Sequence, residues 1–152
     1  MERTLILLKP DAVERGLIGE VVGRFEKKGL TVVGMKMLKM SKELSKEHYA
    51  HITDKPFYPD IENFITSLPL IALVLEGKEV VEVVRLMLGP TNSRKAPSGT
   101  IRGDLSNSPA RNIIHASDSV ETAGKEIKRF FKKEELFDYS LLLKEALYAR
   151  DE

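Results

Sequence analysis

The sequence places one histidine where it could act as a nucleophile. His115 follows a short apolar run and precedes a Ser/Asp-rich stretch. Imidazole is largely neutral near pH 7, so it can attack an electrophile without special activation. Asp118 and Ser119 are N-cap residue types, and Glu121 stands three residues after Asp118 as in a capping box, so we expect an anion-attracting helix N-terminus beside the histidine. The pattern predicts a phosphate held next to a nucleophile; the alternative is a histidine buried at a strand end.

Phosphoryl transfer would require cations that converge on the moving phosphate, because positioning and charge stabilisation dominate that chemistry. Lys9 at a strand exit, Arg85 at the edge of an amphipathic helix and Arg102 in a Gly/Pro-rich loop are the candidates. Each of them, taken alone, is more typical of a solvated surface charge. Phe57, beside Pro56, could offer a face on which any nucleobase stacks, and a core position is the alternative for this aromatic ring.

Metal chemistry based on protein side chains is not predicted. His48 and His51 lie one turn apart on a predicted helix, but they lack a third ligand or an HExxH pattern. Residues 29–36 match the spacing of a phosphate-binding P-loop but lack the lysine and hydroxyl pair after the second glycine. The segment also lies in a predicted strand, so we interpret the match as coincidence.

Composition narrows the class of protein. A chain of 152 residues fits one domain with a single core. It carries 24 Lys plus Arg against 23 Asp plus Glu, so no overall basic field attracts nucleic acid, and a small partner is expected. The absence of cysteine excludes disulfides, thiolate metal sites and a cysteine nucleophile. The apolar runs are too short to span a membrane, and we expect a cytoplasmic protein without a targeting segment.

Apolar periodicity predicts an α+β domain. Residues 89–110 lack an apolar period and are rich in loop-forming residues, so they are expected to form a functional or disordered loop. The last helix is expected to wrap the same domain or to pack on a neighbouring subunit. Strand, helix, strand, strand, helix, strand is the ferredoxin-like order. Strands are predicted at 4–8, 31–40, 70–75 and 111–114, and helices at 18–28, 41–53, 60–67, 79–88, 120–132 and 139–148.

Several motifs, in order along the whole chain, resemble those of the nucleoside diphosphate kinases. They are the segment 89–119, Leu-Lys-Pro-Asp-Ala-Val at 8–13, His-Tyr at 48–49, Lys-Pro-Phe-Tyr at 55–58, Gly77, Arg85 and Lys-Glu-Ile at 125–127. The resemblance implies a ferredoxin-like βαββαβ sandwich with a four-stranded antiparallel sheet covered by helices. It implies transfer of the γ-phosphate of a nucleoside triphosphate to a nucleoside diphosphate by a ping-pong reaction, with Mg²⁺ bound through the nucleotide phosphates. A homo-oligomer, most often a hexamer, is also implied.

The resemblance assigns roles to the candidates residue by residue. It makes His115 the nucleophile, phosphorylated on its pros nitrogen and oriented by Ser117 and Glu126, with Tyr49 at its border. From position alone, Glu126 is more typical of an exposed helix charge paired with Lys125. The nucleotide-binding residues implied are Lys9, Arg85, Arg102 and Thr91 at the phosphates, Asn112 and again Lys9 at the sugar hydroxyls, and Phe57 with Ile61, where leucine is commoner, at the base. Asn112 could instead merely cap a turn.

Two other functions compete with this interpretation. A ferredoxin-like RNA-binding domain would carry a Lys/Arg-Gly-aromatic strand signature and a basic face, and neither is visible. A catalytically silent, nucleotide-binding regulatory protein of the same fold would keep the pocket and lose catalysis. The presence of His115, Ser117 and Glu126 argues against the second possibility.

Overall fold

The computed structural model describes residues 1–142 and 144–152, and its core is one antiparallel sheet. The strand order is β2-β3-β1-β4, so the first and third strands of the sequence are the central ones. This is the predicted ferredoxin-like arrangement. The strands are β1 (Glu2–Leu8), β2 (Thr31–Leu38), β3 (Leu70–Gly77) and β4 (Ile114–Ala116).

Helices cover both faces of this sheet. They are α1 (Pro10–Glu14), α2 (Ile18–Lys27), α3 (Lys42–His48), α4 (Tyr58–Ile65), α5 (Val80–Leu88), α6 (Ile101–Leu105), α7 (Val120–Phe130) and α8 (Lys144–Leu147). Short 3₁₀ turns lie at Ala50–Ile52, Ser93–Lys95 and Lys133–Glu135. Of the described helices, none is long and apolar enough to cross a membrane.

The continuous apolar run of β1 is explained by burial on both faces. Ile6 and Leu8 face a core shared with α2 and α5, whereas Leu5 and Leu7 face a second core closed by α7. These four side chains are fully buried. Because β1 lies between two helical layers, neither of its faces reaches solvent, and both faces carry apolar side chains. Its polar residues, Glu2, Arg3 and Thr4, occupy its first three positions.

Some predicted boundaries were wrong, and local hydrogen bonds give the reason. Residues 89–110 contain α6 and a 3₁₀ turn, because the Thr100 side chain accepts the Gly103 N–H and caps a helix that has too few residues to show a period. The final strand is 114–116 rather than 111–114, so His115 lies inside it. The helix expected at 41–53 ends at His48 and continues only as a 3₁₀ turn. The helix expected from residue 60 begins at Tyr58.

The chain returns to the sheet after α7. The Phe137 N–H donates to the Val33 carbonyl at 2.8 Å, and the Tyr139 hydroxyl donates to the Val32 carbonyl at 2.6 Å. The expected wrapping of the C-terminal segment around its own domain is therefore observed. The helix expected at 139–148 is shorter, with α8 covering 144–147, and residue 143 lies outside the described residues.

Candidate active site

The imidazole of His115 is held by a short hydrogen-bond chain. It stands on β4 opposite Leu7, and its Nε2 lies 3.1 and 3.2 Å from the two carboxylate oxygens of Glu126 on α7. The hydroxyl of Ser117 donates to Glu126 Oε2 at 2.6 Å. An ionised carboxylate only accepts, so Nε2 carries the proton of the neutral ring. The lone pair of Nδ1 is then the nucleophilic one.

Glu126 is buried, which contradicts the interpretation of this residue as an exposed helix charge. Burial alone would raise the pKa of Glu126, but the hydrogen bond to His115, the attraction to that ring when it is protonated and the Ser117 hydroxyl hold the pKa below its usual value. The carboxylate thus stays ionised and can stabilise positive charge that develops on the imidazole. The sequence places Lys125 next to it, but Lys125 pairs with Glu121 on the solvent side of α7.

A second histidine, considered from the sequence as a metal ligand and as part of the His-Tyr motif at 48–49, packs behind the first. The His48 ring packs edge-on to His115, with ring centroids 4.9 Å apart. Arg129 donates to His48 Nδ1 at 3.1 Å, and burial lowers the pKa of His48 to about 3. Tyr49 packs edge-on to His48, and burial raises its phenol pKa to about 12. His115 is therefore flanked by an uncharged aromatic surface.

This cluster also has the composition of a metal site. Ligand atoms of His48, His115 and Glu126 lie within 4.8 Å of one another, whereas the exposed His51 is not part of the set. However, the Glu126 oxygens already accept from His115 and Ser117, and the Arg129 guanidinium occupies His48 Nδ1. A cation would have to displace these donors beside a fixed positive charge. The cluster is better described as a hydrogen-bonded support for His115.

The three predicted phosphate-binding cations line one cavity of about 500 Å³ that also contains His115. They come from different elements, Lys9 from the end of β1, Arg85 from α5 and Arg102 from α6. Asp118 is the one carboxylate among the lining residues. A concave site with three cations and a nucleophile suits a polyanionic substrate.

Arg102 is 8% exposed and joins the loop to the site. Its guanidinium donates to the carbonyls of Gly89, Asn112 and Ile114 at 3.0, 3.3 and 2.6 Å. Burial and the neighbouring Arg85 lower the pKa of Arg102 to about 10. Arg102, a predicted phosphate ligand, therefore also joins the three segments that surround this cavity, which is called the phosphate cavity below.

Lys9 and Asn112 lie at the junction between this cavity and a second, apolar cavity. The ammonium of Lys9 donates to Asn112 Oδ1 at 2.6 Å, and burial together with the charge of Arg102 lowers the pKa of Lys9 to about 8. The Asn112 amide donates to the carbonyls of Thr91 and Pro109 at 3.0 and 3.1 Å. Asn112 is therefore fixed in the site, and it does more than cap a turn.

An apolar cavity of about 490 Å³ continues from the phosphate cavity through Lys9, Thr91 and Asn112, which line both. Phe57 is 51% exposed at its mouth, so the alternative of a core position was wrong. Ile61 lines the same cavity. The guanidinium of Arg111, which the sequence analysis did not single out, lies 4.1 Å from the centre of the Phe64 ring.

The chain enters β4 through a strained turn. Ile113 has a φ of 59°, and the Ile114 N–H donates to the Asn112 carbonyl at 2.8 Å, which closes a three-residue γ-turn. A positive φ at a β-branched residue is rare and costs about 1–3 kcal/mol. The buried carboxylate of Asp11 accepts the Ile113 N–H at 3.1 Å. Asp11 follows the Lys-Pro pair in the sequence, and nothing in its spacing indicates this long-range contact.

The helix after His115 starts one residue later than the capping-box pattern implied. Ser119 is the N-cap of α7, and its hydroxyl accepts the Thr122 N–H at 3.1 Å. The pairing of Asp118 with Glu121 was therefore wrong. Asp118 remains exposed and lies at the edge of the phosphate cavity.

Comparisons with known proteins give a consistent result. A family model described as nucleoside diphosphate kinase matches residues 2–136. Nucleoside diphosphate kinases from Rhodopirellula baltica and Parabacteroides distasonis are 55% and 54% identical over 152 residues, covering all of this chain and 100% and 99% of theirs. A solved halophilic nucleoside diphosphate kinase from Halobacterium salinarum, in complex with CDP, superposes with a TM-score of 0.95 at 43% identity, covering 97% of this chain and 99% of that one.

Proposed function

The chain belongs to the nucleoside diphosphate kinase family, which transfers the γ-phosphate of a nucleoside triphosphate to a nucleoside diphosphate, and we propose that Nδ1 of His115 carries the phosphate between the two. The single observation that supports this assignment most strongly is the pairing of Nε2 with the buried Glu126 carboxylate. With Nε2 protonated, Nδ1 holds the lone pair in a cavity lined by three cations.

The transfer takes place in two half-reactions at one site. Nδ1 attacks the γ-phosphorus of the triphosphate, the N–P bond forms, and the bond to the β-phosphate oxygen breaks, so a nucleoside diphosphate leaves. A second nucleoside diphosphate then binds, and its terminal oxygen takes the phosphoryl group from the histidine. Glu126 stabilises the positive charge of the phosphorylated ring through the Nε2 proton.

The two connected cavities support the nucleotide orientation. Lys9, Arg85 and Arg102 bind the phosphates with the Thr91 hydroxyl, as cations held before the reaction stabilise charge on the transferring group. Asn112 and Lys9 contact the sugar hydroxyls at the junction. The apolar cavity of Phe57 and Ile61 receives the base. Ser117 and Tyr49 support the ring of His115 through Glu126 and His48.

Magnesium is proposed to enter as part of the nucleotide complex. Mg²⁺ prefers oxygen ligands and retains several waters. The phosphate cavity offers one carboxylate, Asp118, against three cations, so the residues present fit a metal ion held by phosphate oxygens rather than by a cage of protein carboxylates. When bound, the ion would neutralise charge on the β- and γ-phosphates.

Assembly into a homo-oligomer, with a hexamer as the expected form, is part of the proposal. The edge strand β2 supports it, because Met35 and Met37 are 51% and 57% exposed. They lie beyond Val32 and Val33, where the C-terminal segment hydrogen-bonds to this strand. Light scattering on the purified protein measures this directly. One domain over residues 1–152, a cytoplasmic location and the absence of membrane or obligatory nucleic-acid partners stay predictions.

One experiment separates the proposed enzyme from a silent nucleotide-binding protein. The protein is incubated with γ-labelled ATP and Mg²⁺, separated from nucleotide, and then incubated with GDP. We expect labelled protein after the first step and labelled GTP, with loss of label from the protein, after the second. Binding of ATP without transfer of label to the protein would contradict the proposal.

A further inference from the structure

The two residues that flank Pro10 both hydrogen-bond to the strained turn before β4. The Asp11 carboxylate accepts the Ile113 N–H, and the Lys9 N–H donates to the Ile113 carbonyl at 2.9 Å. Asp11 is 6% exposed, and its other oxygen, Oδ1, finds no hydrogen-bond partner among the described residues. A buried carboxylate with one oxygen unpaired is unfavourable for folding. Asp11 also lies in the first turn of α1, where a negative charge is stabilising, so its role at the turn has to be tested by function as well as by stability.

The turn has a direct bearing on the reacting groups. Asn112, immediately before the strained residue, accepts from Lys9 Nζ, and its carbonyl receives hydrogen bonds from Arg102 and the Ile114 N–H. His115 follows only two residues after Ile113. If the peptide at Ile113 relaxed to a negative φ, the Asn112 carbonyl and the start of β4 would have to rotate. Both the Lys9–Asn112 contact and the direction of the His115 ring would then change.

We infer that Asp11 is a positioning residue for phosphoryl transfer, which acts by holding the Ile113 backbone in its strained conformation. This inference rests on the proposed nucleophilic role of His115. Asp11 does not reach the phosphate cavity, of which it is not a lining residue. Its carboxylate fixes the N–H of Ile113, and that backbone fixes Asn112 on one side and β4 with His115 on the other.

The inference predicts that the need for the carboxylate disappears when the strain is removed. Glycine adopts a positive φ without strain, so Ile113→Gly supplies a background in which the turn needs no restraint against a strained backbone. The lost burial of the Ile113 side chain is common to every protein compared in that background. Leucine has nearly the shape of aspartate but no acceptor. Asparagine keeps an acceptor oxygen at the same place.

The experiment measures the rate constant of phosphohistidine formation at saturating Mg²⁺ and ATP, in a single turnover. We expect Asp11→Leu to slow this step about tenfold or more in the native background, because small displacements of reacting groups have effects of this size. In the Ile113→Gly background, the same substitution should slow it less than about threefold. Asp11→Asn should stay within about threefold of the native protein.

Controls separate positioning from stability and from the proposed reaction itself. Phe25→Leu, in the core between α2 and the sheet, should lower the melting temperature without slowing the step. If Asp11→Leu does not fold, Asp11→Glu, which shifts the carboxylate by one methylene group, replaces it in both backgrounds. Equal slowing in both backgrounds, or no slowing in either, would overturn the inference. Failure of the native protein to form phosphohistidine would instead contradict the proposed function.

Discussion

The two ends of the proposed nucleotide cleft, the cavity with Arg102 for the phosphates and the cavity with Phe57 for the base, are built in opposite ways. At the phosphate end, Arg102 and Glu126 are buried, and each makes at least two hydrogen bonds. At the base end, Phe57 is half-exposed and stands in a cavity lined mainly by apolar groups. A group held by several directional bonds can occupy one position, whereas an aromatic face accepts any base that stacks on it.

The difference indicates which part of the nucleotide has to be positioned accurately. Charge develops on the moving phosphate, and only donors fixed in advance stabilise it without reorganisation. The base lies far from the bond that breaks, and a single contact there is worth about 1–3 kcal/mol. We therefore expect substitutions at the phosphate end to reduce the rate steeply and changes at the base end to have smaller effects.

The largest effect is expected at the nucleophile. His115→Ala should abolish both the labelled phosphoenzyme and the transfer to GDP, because His48 is buried against Arg129 and cannot take over the reaction. The measurement is labelling by γ-labelled ATP followed by GDP. His51→Ala is the matched control, since His51 is exposed on a 3₁₀ turn, and it should label normally. A stable phosphorylated intermediate on another residue of the His115→Ala protein would contradict the assignment.

Removal of one buried cation should come next. Arg102→Ala should lower kcat by about 10²-fold or more, as with other preorganised donors, and should also lower the melting temperature because three carbonyls each lose one hydrogen bond. Arg94→Ala is the control, since Arg94 lies in the same loop, is exposed and bonds one carbonyl, that of Asn107. An effect of Arg102→Ala on KM alone would show that Arg102 binds ground state and transition state equally.

The affinity for nucleotide should depend on pH through Lys9, at the junction of the two cavities. Burial and Arg102 place the pKa of Lys9 at about 8, below its ordinary value, so the lysine loses its charge as the pH rises through 8. Affinity of the free enzyme for ADP should therefore fall about tenfold between pH 7 and pH 9. Calorimetric titration measures it. In Lys9→Arg, which keeps its charge over this range, the affinity should be nearly constant, and an equal fall in both proteins would assign the effect to another group.

The smallest effect is expected among the four bases. ATP, GTP, CTP and UTP should serve as donors with kcat/KM values within about two orders of magnitude, because stacking on Phe57 does not distinguish bases. Phe57→Ala should lower all four values by similar factors, whereas Phe137→Ala, on an exposed ring outside the cleft, should not. Steady-state kinetics give the values. A preference beyond about 10⁴-fold for one base would show that the base end reads base edges.

The same contrast explains what the sequence could predict. The buried β1 and the amphipathic α2 follow from periodicity, and the helix predicted from residue 41 begins beside Ser41, whose hydroxyl accepts the Leu44 N–H. His115, as the candidate nucleophile, could be singled out from the residues around it, because its neighbours are close in the chain. Position and residue type also made Lys9, Arg85, Arg102 and Phe57 candidates, but each had an equally ordinary alternative. The family resemblance decided between the two, and it alone assigned roles to the remaining site residues.

The site features that the sequence did not predict depend on contacts between segments far apart in the chain. Asp11 and Ile113 are 102 positions apart, and His48 and Arg129 are 81 apart, so no local pattern contains them. The burial of Glu126 likewise follows from the packing of α7 on β1 and not from its own neighbours. The short α6 was missed because a five-residue helix shows no full period.

We propose that Glu126 fixes the proton on Nε2 and leaves Nδ1 to react. The test is to phosphorylate the protein with ATP, to hydrolyse it in alkali, which preserves phosphohistidine, and to identify the isomer by ³¹P NMR against both standards. We expect the pros isomer, phosphorylated on Nδ1. Recovery of the tele isomer, phosphorylated on Nε2, would contradict it, because that nitrogen faces the Glu126 carboxylate in this structure.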